Sequence, residues 1–167
     1  MSRIREVRLE DLNAIMEIYN HYVVNTTVSF DEVAWTIEDA IHKYEILNEG
    51  GYPFFCCEVE GEIVGYCYLS NWNSRSAYKT TAEVTIYLKP DMKRRGYGRA
   101  MLKALVDVAK EGRYHSLIAA ITIPNEASVA LHEEFGFVKV SFFPAVGYKL
   151  GGWCDVGHWQ WLASESK

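Results

Sequence analysis

Apolar positions recur along this chain at helical or strand spacing, and glycine, proline and asparagine mark most of the changes between the two. Ile4 to Val7 reads as a short opening strand. Leu12, Ile15, Met16, Tyr19, Tyr22 and Val23 then fall at helical spacing. A second helix is predicted from Thr36, where Asp39 three residues on resembles a capping box. Ile37, Ala40, Ile41, Tyr44 and Leu47 line its apolar face, and Gly50-Gly51 ends it.

The pattern then turns to strands. Phe54 to Val59 and Ile63 to Ser70 flank the tight turn Glu60-Gly61, a hairpin signal. Thr80 to Leu88 alternates, with Val84, Ile86 and Leu88 on one face and Glu83, Thr85 and Tyr87 on the other. After a glycine-bearing loop, Met101, Leu102, Leu105, Val106 and Ala109 mark a third helix. Leu117 to Ile123 is an unbroken apolar run, which predicts a strand covered on both faces. Pro124-Asn125 opens a fourth helix through Val129, Leu131, His132 and Phe135, which Gly136 ends. Val138 to Phe143 and Gly157 to Trp161 complete the set. One strand, two helices, three strands, a helix, a strand, a helix and two strands imply an α/β fold with a mixed sheet and helices on both faces.

Composition narrows the reading. The chain has 167 residues, about half of them hydrophobic, and no linker or repeat, so one domain spanning 1–167 is expected. Its net charge of −5 is spread along the chain, and the one basic cluster is Lys93, Arg94, Arg95 and Arg99. That cluster suits a few phosphates on a small molecule and offers no track for a nucleic acid. Cys56, Cys57, Cys67 and Cys154 make no metal-finger spacing, so buried reduced thiols and no metal are expected. The charged start Ser2-Arg3-Ile4-Arg5-Glu6 is unlike a signal peptide, and no run suits a membrane span. A cytoplasmic protein with no membrane partner is the expectation.

The loop Lys93-Arg94-Arg95-Gly96-Tyr97-Gly98 stands between an acidic strand and a helix. The first N–H groups of a helix lack partners within it, and the helix dipole makes that end attractive to anions. Gly96 and Gly98 would let the backbone approach a diphosphate, and Arg94, Arg95 and Arg99 carry matching charge. A Walker loop is absent, and Met101 stands where a dinucleotide fingerprint needs its third glycine. By itself the loop is an anion site or merely a tight turn.

The same run resembles the Arg/Gln-x-x-Gly-x-Gly/Ala acetyl-CoA loop of the GNAT acyltransferases, with Lys93 in place of the usual Arg or Gln. Pro124-Asn125-Glu126-Ala127-Ser128 is similar to the start of the next family helix. Leu131-His132-Glu133-Glu134-Phe135-Gly136-Phe137 is similar to its close. Ile18-Tyr19-Asn20-His21-Tyr22, Val28-Ser29-Phe30, Trp72 to Tyr78, Glu83 to Tyr87, Gly147-Tyr148-Lys149 and Gly152 to Gly157 resemble the phosphinothricin and methionine sulfoximine N-acetyltransferase branch. The resemblance implies a mostly antiparallel twisted sheet whose one parallel strand pair splays to hold CoA. It implies acetyl-CoA as co-substrate, held by Ile86, Tyr87, Leu88, Lys93 to Arg99, Asn125 and Ser128, and a homodimer.

The chemistry follows from the acceptor. An amine attacks a thioester only as a neutral nitrogen, so a proton acceptor helps. Glu83 is the candidate base, against the plain reading of a solvated strand carboxylate. His132 is a second candidate, able to give or take a proton, against a packed core histidine. The Leu88 amide is the oxyanion donor that the resemblance implies. Arg75 and Tyr78 suit the carboxylate or polar side chain of an amino acid. Phe30, Tyr148 and Val156 are implied to wall its pocket, although Phe30 also reads as core. The aromatic tail Trp153 to Trp161 suits either a dimer face or an interior strand. The expected reaction is acetyl transfer to the amino group of a small polar amino acid or toxic analogue of the phosphinothricin or methionine sulfoximine kind. Another small amine, a peptide N-terminus, or a non-catalytic acyl-CoA sensor are the rivals.

Overall fold

The computed structural model describes residues 1–164. The elements follow in the expected order: β1 (Ser2–Glu6), α1 (Leu12–Asn25), α2 (Ile37–Glu49), β2 (Phe54–Val59), β3 (Glu62–Asn71), β4 (Thr81–Leu88), α3 (Tyr97–Val108), β5 (Ser116–Ile123), α4 (Glu126–Glu134), β6 (Val138–Lys149) and β7 (Gly152–Leu162). Local chemistry sets their ends. Thr36 caps α2 by accepting from the Asp39 amide at 3.3 Å, while the Asp39 carboxylate accepts from the Thr36 amide at 2.8 Å. Glu60 and Gly61 both take positive φ in the β2–β3 turn, the backbone twist that a two-residue hairpin needs.

The seven strands form one sheet in the order β1-β2-β3-β4-β5-β7-β6, antiparallel throughout except between β4 and β5. Helices α1 and α2 bury Leu12, Ile15, Val23 and Leu47 against one face, with Phe54, Cys56 and Tyr66 of the sheet. Helix α3 buries Met101, Leu102, Leu105 and Val106 on the other face, against Val64, Leu69, Leu117 and Trp159. All four cysteines are buried free thiols. No helix among the described residues is long and apolar enough to cross a membrane.

Two expectations needed correction. The last two strands are about twice as long as their sequence pattern suggested, because β6 continues past Pro144 to Lys149 and β7 begins at Gly152. Proline lacks the N–H that a ladder needs. The register shifts between Phe143 and Gly147 absorb it, with Ala145 at positive φ and its amide donating to Asp155 Oδ1 at 2.7 Å. The second concerns β5, expected to be covered on both faces. Ala120 is exposed in its middle, since that part of the strand borders a cleft instead of a helix.

Candidate active site

The cleft arises from the parallel pair. β4 and β5 pair only at Thr81–Ser116, Ala82–Leu117 and Glu83–Ile118. Beyond that rung they diverge, and a cavity of about 900 Å³ opens between Val84–Leu88 and residues 119–122. The edge of β4 that faces it is polar. The Lys89 amide donates to the Val64 carbonyl at 2.8 Å, and Leu88 faces Gly65 across β3. Antiparallel pairs alternate in direction, so Val84, Ile86 and Leu88 turn their N–H and C=O groups away from β3 and into the gap. Tyr22 of α1 reaches across to donate its hydroxyl to the Leu88 carbonyl. The Leu88 amide is left facing the cleft.

An end suited to anions closes the wide side. Gly96 takes φ 84°, open on its outer side, and α3 starts at the next residue. Ala100 donates to the Gly96 carbonyl at 3.1 Å, so the amides of Tyr97, Gly98 and Arg99 lie ahead of the first intrahelical bond. Gly98 has no positive φ, and a Cβ there would meet Leu131 and Leu88 at ordinary contact distances, so Gly96 is the residue whose backbone conformation demands glycine. Lys93, Arg94 and Arg99 line the cavity with both glycines, whereas Arg95 and Tyr97 are not among its lining residues. Arg99 also pairs with Glu134 at 2.7 Å, and the Lys93 ammonium lies 5.5 Å from the Tyr22 ring centre.

Glu83 stands at the fork. Burial pushes its carboxyl up from the ordinary glutamate range, with Lys43 pulling the other way. Among the described residues the carboxylate has no hydrogen-bond or ion-pair partner, which leaves it free for a ligand. His132, on α4 across the cavity wall, is only 5% exposed. Its Nδ1 lies 2.7 Å from the Ser128 carbonyl, which can only accept, so Nδ1 carries the proton and Nε2 is the acceptor. Burial lowers the His132 pKa despite that bond. Asn125 caps α4 by accepting from the Ser128 amide at 3.2 Å, and its amide nitrogen is not spent on that cap.

The structure therefore gathers Phe30, Glu83, Ile86, Tyr87, Leu88, Lys93, Arg94, Gly96, Gly98, Arg99, Asn125, Ser128, His132 and Val156 around one cavity. Arg75 and Tyr78 lie instead on an exposed turn before β4, off the cavity lining. Tyr148 is exposed on β6 with its ring 5.0 Å from Trp153, and it too is off the lining. Sequence reasoning missed Tyr19, Tyr22, Val28, Ser29 and Asp31, which wall the cleft from α1 and the loop after it. Helical spacing puts both tyrosines in the core, where they are buried, and does not show that they also border the cavity. Their hydroxyls were the available signal, because a buried tyrosine O–H needs a partner. That of Tyr19 donates to Asp31 and meets Ser29 Oγ at 2.8 Å.

Diphosphate on the free amides of α3, an amide-bearing arm on the unpaired edge of β4 and a thioester near Glu83 would satisfy each polar feature of the cleft. The described residues contain no group of His, Cys, Asp and Glu suited to a metal ion.

Comparison with known proteins agrees. The GNAT acetyltransferase domain model matches residues 4–158. Phosphinothricin N-acetyltransferase of Streptomyces viridochromogenes is 37% identical, over 94% of this chain and 85% of that protein. The L-methionine sulfoximine/L-methionine sulfone acetyltransferase of Salmonella typhimurium is 33% identical, over 92% of this chain and 90% of that one. A GNAT superfamily phosphinothricin acetyltransferase from Sinorhizobium meliloti, solved in complex with AcCoA, superposes with a TM-score of 0.95 at 30% identity, over 98% of this chain and 89% of that chain. This chain belongs to the GNAT acetyltransferase family. It is an acetyl-CoA-dependent N-acetyltransferase.

Proposed function

We propose that the acceptor is the α-amino group of a small polar amino acid or analogue, of the methionine sulfoximine or phosphinothricin kind, and that Glu83 is the base. The observation that carries this reading is the unpaired Glu83 carboxylate at the fork of β4 and β5, beside the inward-facing amides. The names of the relatives support the acceptor class.

Acetyl-CoA supplies an activated acetyl group, and this chain's residues do the rest. The amides that open α3, with Lys93, Arg94 and Arg99, hold the diphosphate. Asn125 and the inward edge of β4 hold the pantetheine arm. Glu83 takes the proton from the ammonium, directly or through one water, and its raised pKa brings it nearer to its task at neutral pH. The Leu88 N–H stabilises charge that develops on the acetyl oxygen. His132 is the second proton carrier: as the amine adds to the acetyl carbonyl and the C–S bond breaks, its bare Nε2 takes the nitrogen's second proton and passes it to the departing CoA thiolate. Phe30 and Val156 wall the acceptor side. Thiol release from acetyl-CoA tests this on a panel of methionine sulfoximine, phosphinothricin, ordinary amino acids, simple amines and a peptide. Turnover of amines or the peptide alone would shift the acceptor class. Binding of acetyl-CoA with no turnover on any acceptor would leave only the sensor reading.

The chain is also proposed to form a homodimer through β6 and the β6–β7 turn. β6 is an edge strand, and Val138, Val140, Phe142, Val146, Tyr148, Leu150 and Trp153 expose apolar surface there. Tyr148 then lies at the interface instead of in its own pocket. Sedimentation of the protein and of Val140→Lys distinguishes a dimer from a monomer.

A further inference from the structure

Lys149 is a lysine only 4% exposed, at the end of β6 and away from the cavity lining. Its Nζ donates to the Ser29 carbonyl at 2.6 Å, across 120 residues of sequence. Burial lowers its pKa, while Glu32 and Asp31 favour its charge. The loop that it grips supplies Val28, Ser29, Phe30 and Asp31 to the cavity wall. Two residues earlier on the same strand, Gly147 lies under the Phe30 ring: a Cβ placed there would come within 2.6 Å of Phe30 Cζ. Phe30 itself is 43% exposed and lines the cavity. From inside the cleft, the Tyr19 hydroxyl ties the same loop at Ser29 and Asp31.

We infer that Lys149 and Gly147 are positioning residues for the acceptor wall, Lys149 by anchoring the loop backbone at Ser29 and Gly147 by leaving the space in which the Phe30 ring lies. The inference rests on the amino-acid acceptor reading for its consequence in turnover, though not for the contact itself. The charge-assisted bond at Ser29 restrains the backbone, and the missing Cβ decides the ring position. Together they set the part of the cavity wall that Phe30 forms, without touching substrate. Because the loop contributes none of the basic side chains or helix-opening amides at the start of α3, the effect falls on the acceptor and spares acetyl-CoA.

The test has two arms. In steady-state assays with methionine sulfoximine, Lys149→Met and Gly147→Ala should each raise the acceptor KM about tenfold, with the acetyl-CoA KM unchanged, and Lys149→Arg should recover part of the loss. Hydrogen exchange needs no acceptor. Amides 28–31 should exchange faster in Lys149→Met, while those opening α3 stay as in the wild type. Failure of the wild-type protein to turn over any amino acid would overturn the acceptor reading, and the exchange arm would still decide the anchor. Unchanged exchange at 28–31, or equal rises in both KM values, would overturn the positioning role. Gly147→Ala keeps the Lys149 anchor and has no backbone strain to add, so it keeps the test open if Lys149→Met fails to fold.

Discussion

Glu83 and Ile118 form the last rung of the parallel ladder between β4 and β5, so the Glu83 carboxylate stands where the sheet opens. A rung earlier the residue would lie within the paired sheet. Further along, it would lie deeper in the cleft. The fork thus gives one carboxylate both a half-buried setting and access to the space where two substrates meet.

Replacing Glu83 with Gln should lower kcat about 10²-fold while the acetyl-CoA KM holds. Stability should move the other way. The folded-state pKa is raised, so the native protein holds this proton to higher pH than the unfolded chain does. Wild-type stability contributed by this group therefore falls as pH rises from the ordinary glutamate range through the raised value. Thermal melts across that window should show a smaller fall for Glu83→Gln than for the wild type.

The pH profile separates the two proton carriers. In the proposed mechanism ionised Glu83 is the working form, so kcat/KM should fall on the acid side as that group protonates. His132 is held as the Nδ1–H tautomer, and burial lowers its pKa and so favours the neutral ring. The acid limb set by Glu83 should persist in His132→Asn and give way in Glu83→Gln to one that follows deprotonation of the substrate ammonium. The reverse result would give the base role to His132.

Asn125 has an observed cap duty and a proposed ligand duty that one substitution can divide. Asp at this position keeps the acceptor for the Ser128 amide and loses the amide N–H donors. Asn125→Asp should therefore melt within a degree or two of the wild type yet show a raised acetyl-CoA KM. Asn125→Ala should also lose about 1 kcal/mol of cap energy, visible as a drop in Tm of roughly 2–4 °C.

Arg94→Ala should raise the acetyl-CoA KM about tenfold and leave the acceptor KM unchanged. The effect should shrink at high salt, since the lost contact is an exposed charge against phosphate. Competition by CoA and by dephosphorylated fragments locates which phosphate Arg94 serves.

Much of the site was legible where one local feature does the work. The α3 loop is a contiguous word, and helix N-termini bind anions for reasons present in any chain with that word. Glu83 stood out as a carboxylate on an alternating strand, and Thr36 with Asp39 announced its cap. Tyr19 and Tyr22 were harder, because apolar periodicity cannot tell a core position from one that faces a cavity. Pro144 hid the second half of β6, since the bulge that accommodates it depends on the partner strand.

Local spacing and chemistry in the sequence determined the element order, the basic glycine loop and the candidate base, and the resemblance of its motifs pointed to the family. Tertiary structure alone decided where β4 and β5 part. That depends on pairing across strands separated by α3. The same holds for Lys149 and Ser29, 120 residues apart, and for the ring of Phe30 over Gly147. Spacing along a chain encodes which face a residue takes in its own element. Which distant groups then meet on that face is set by how the elements pack.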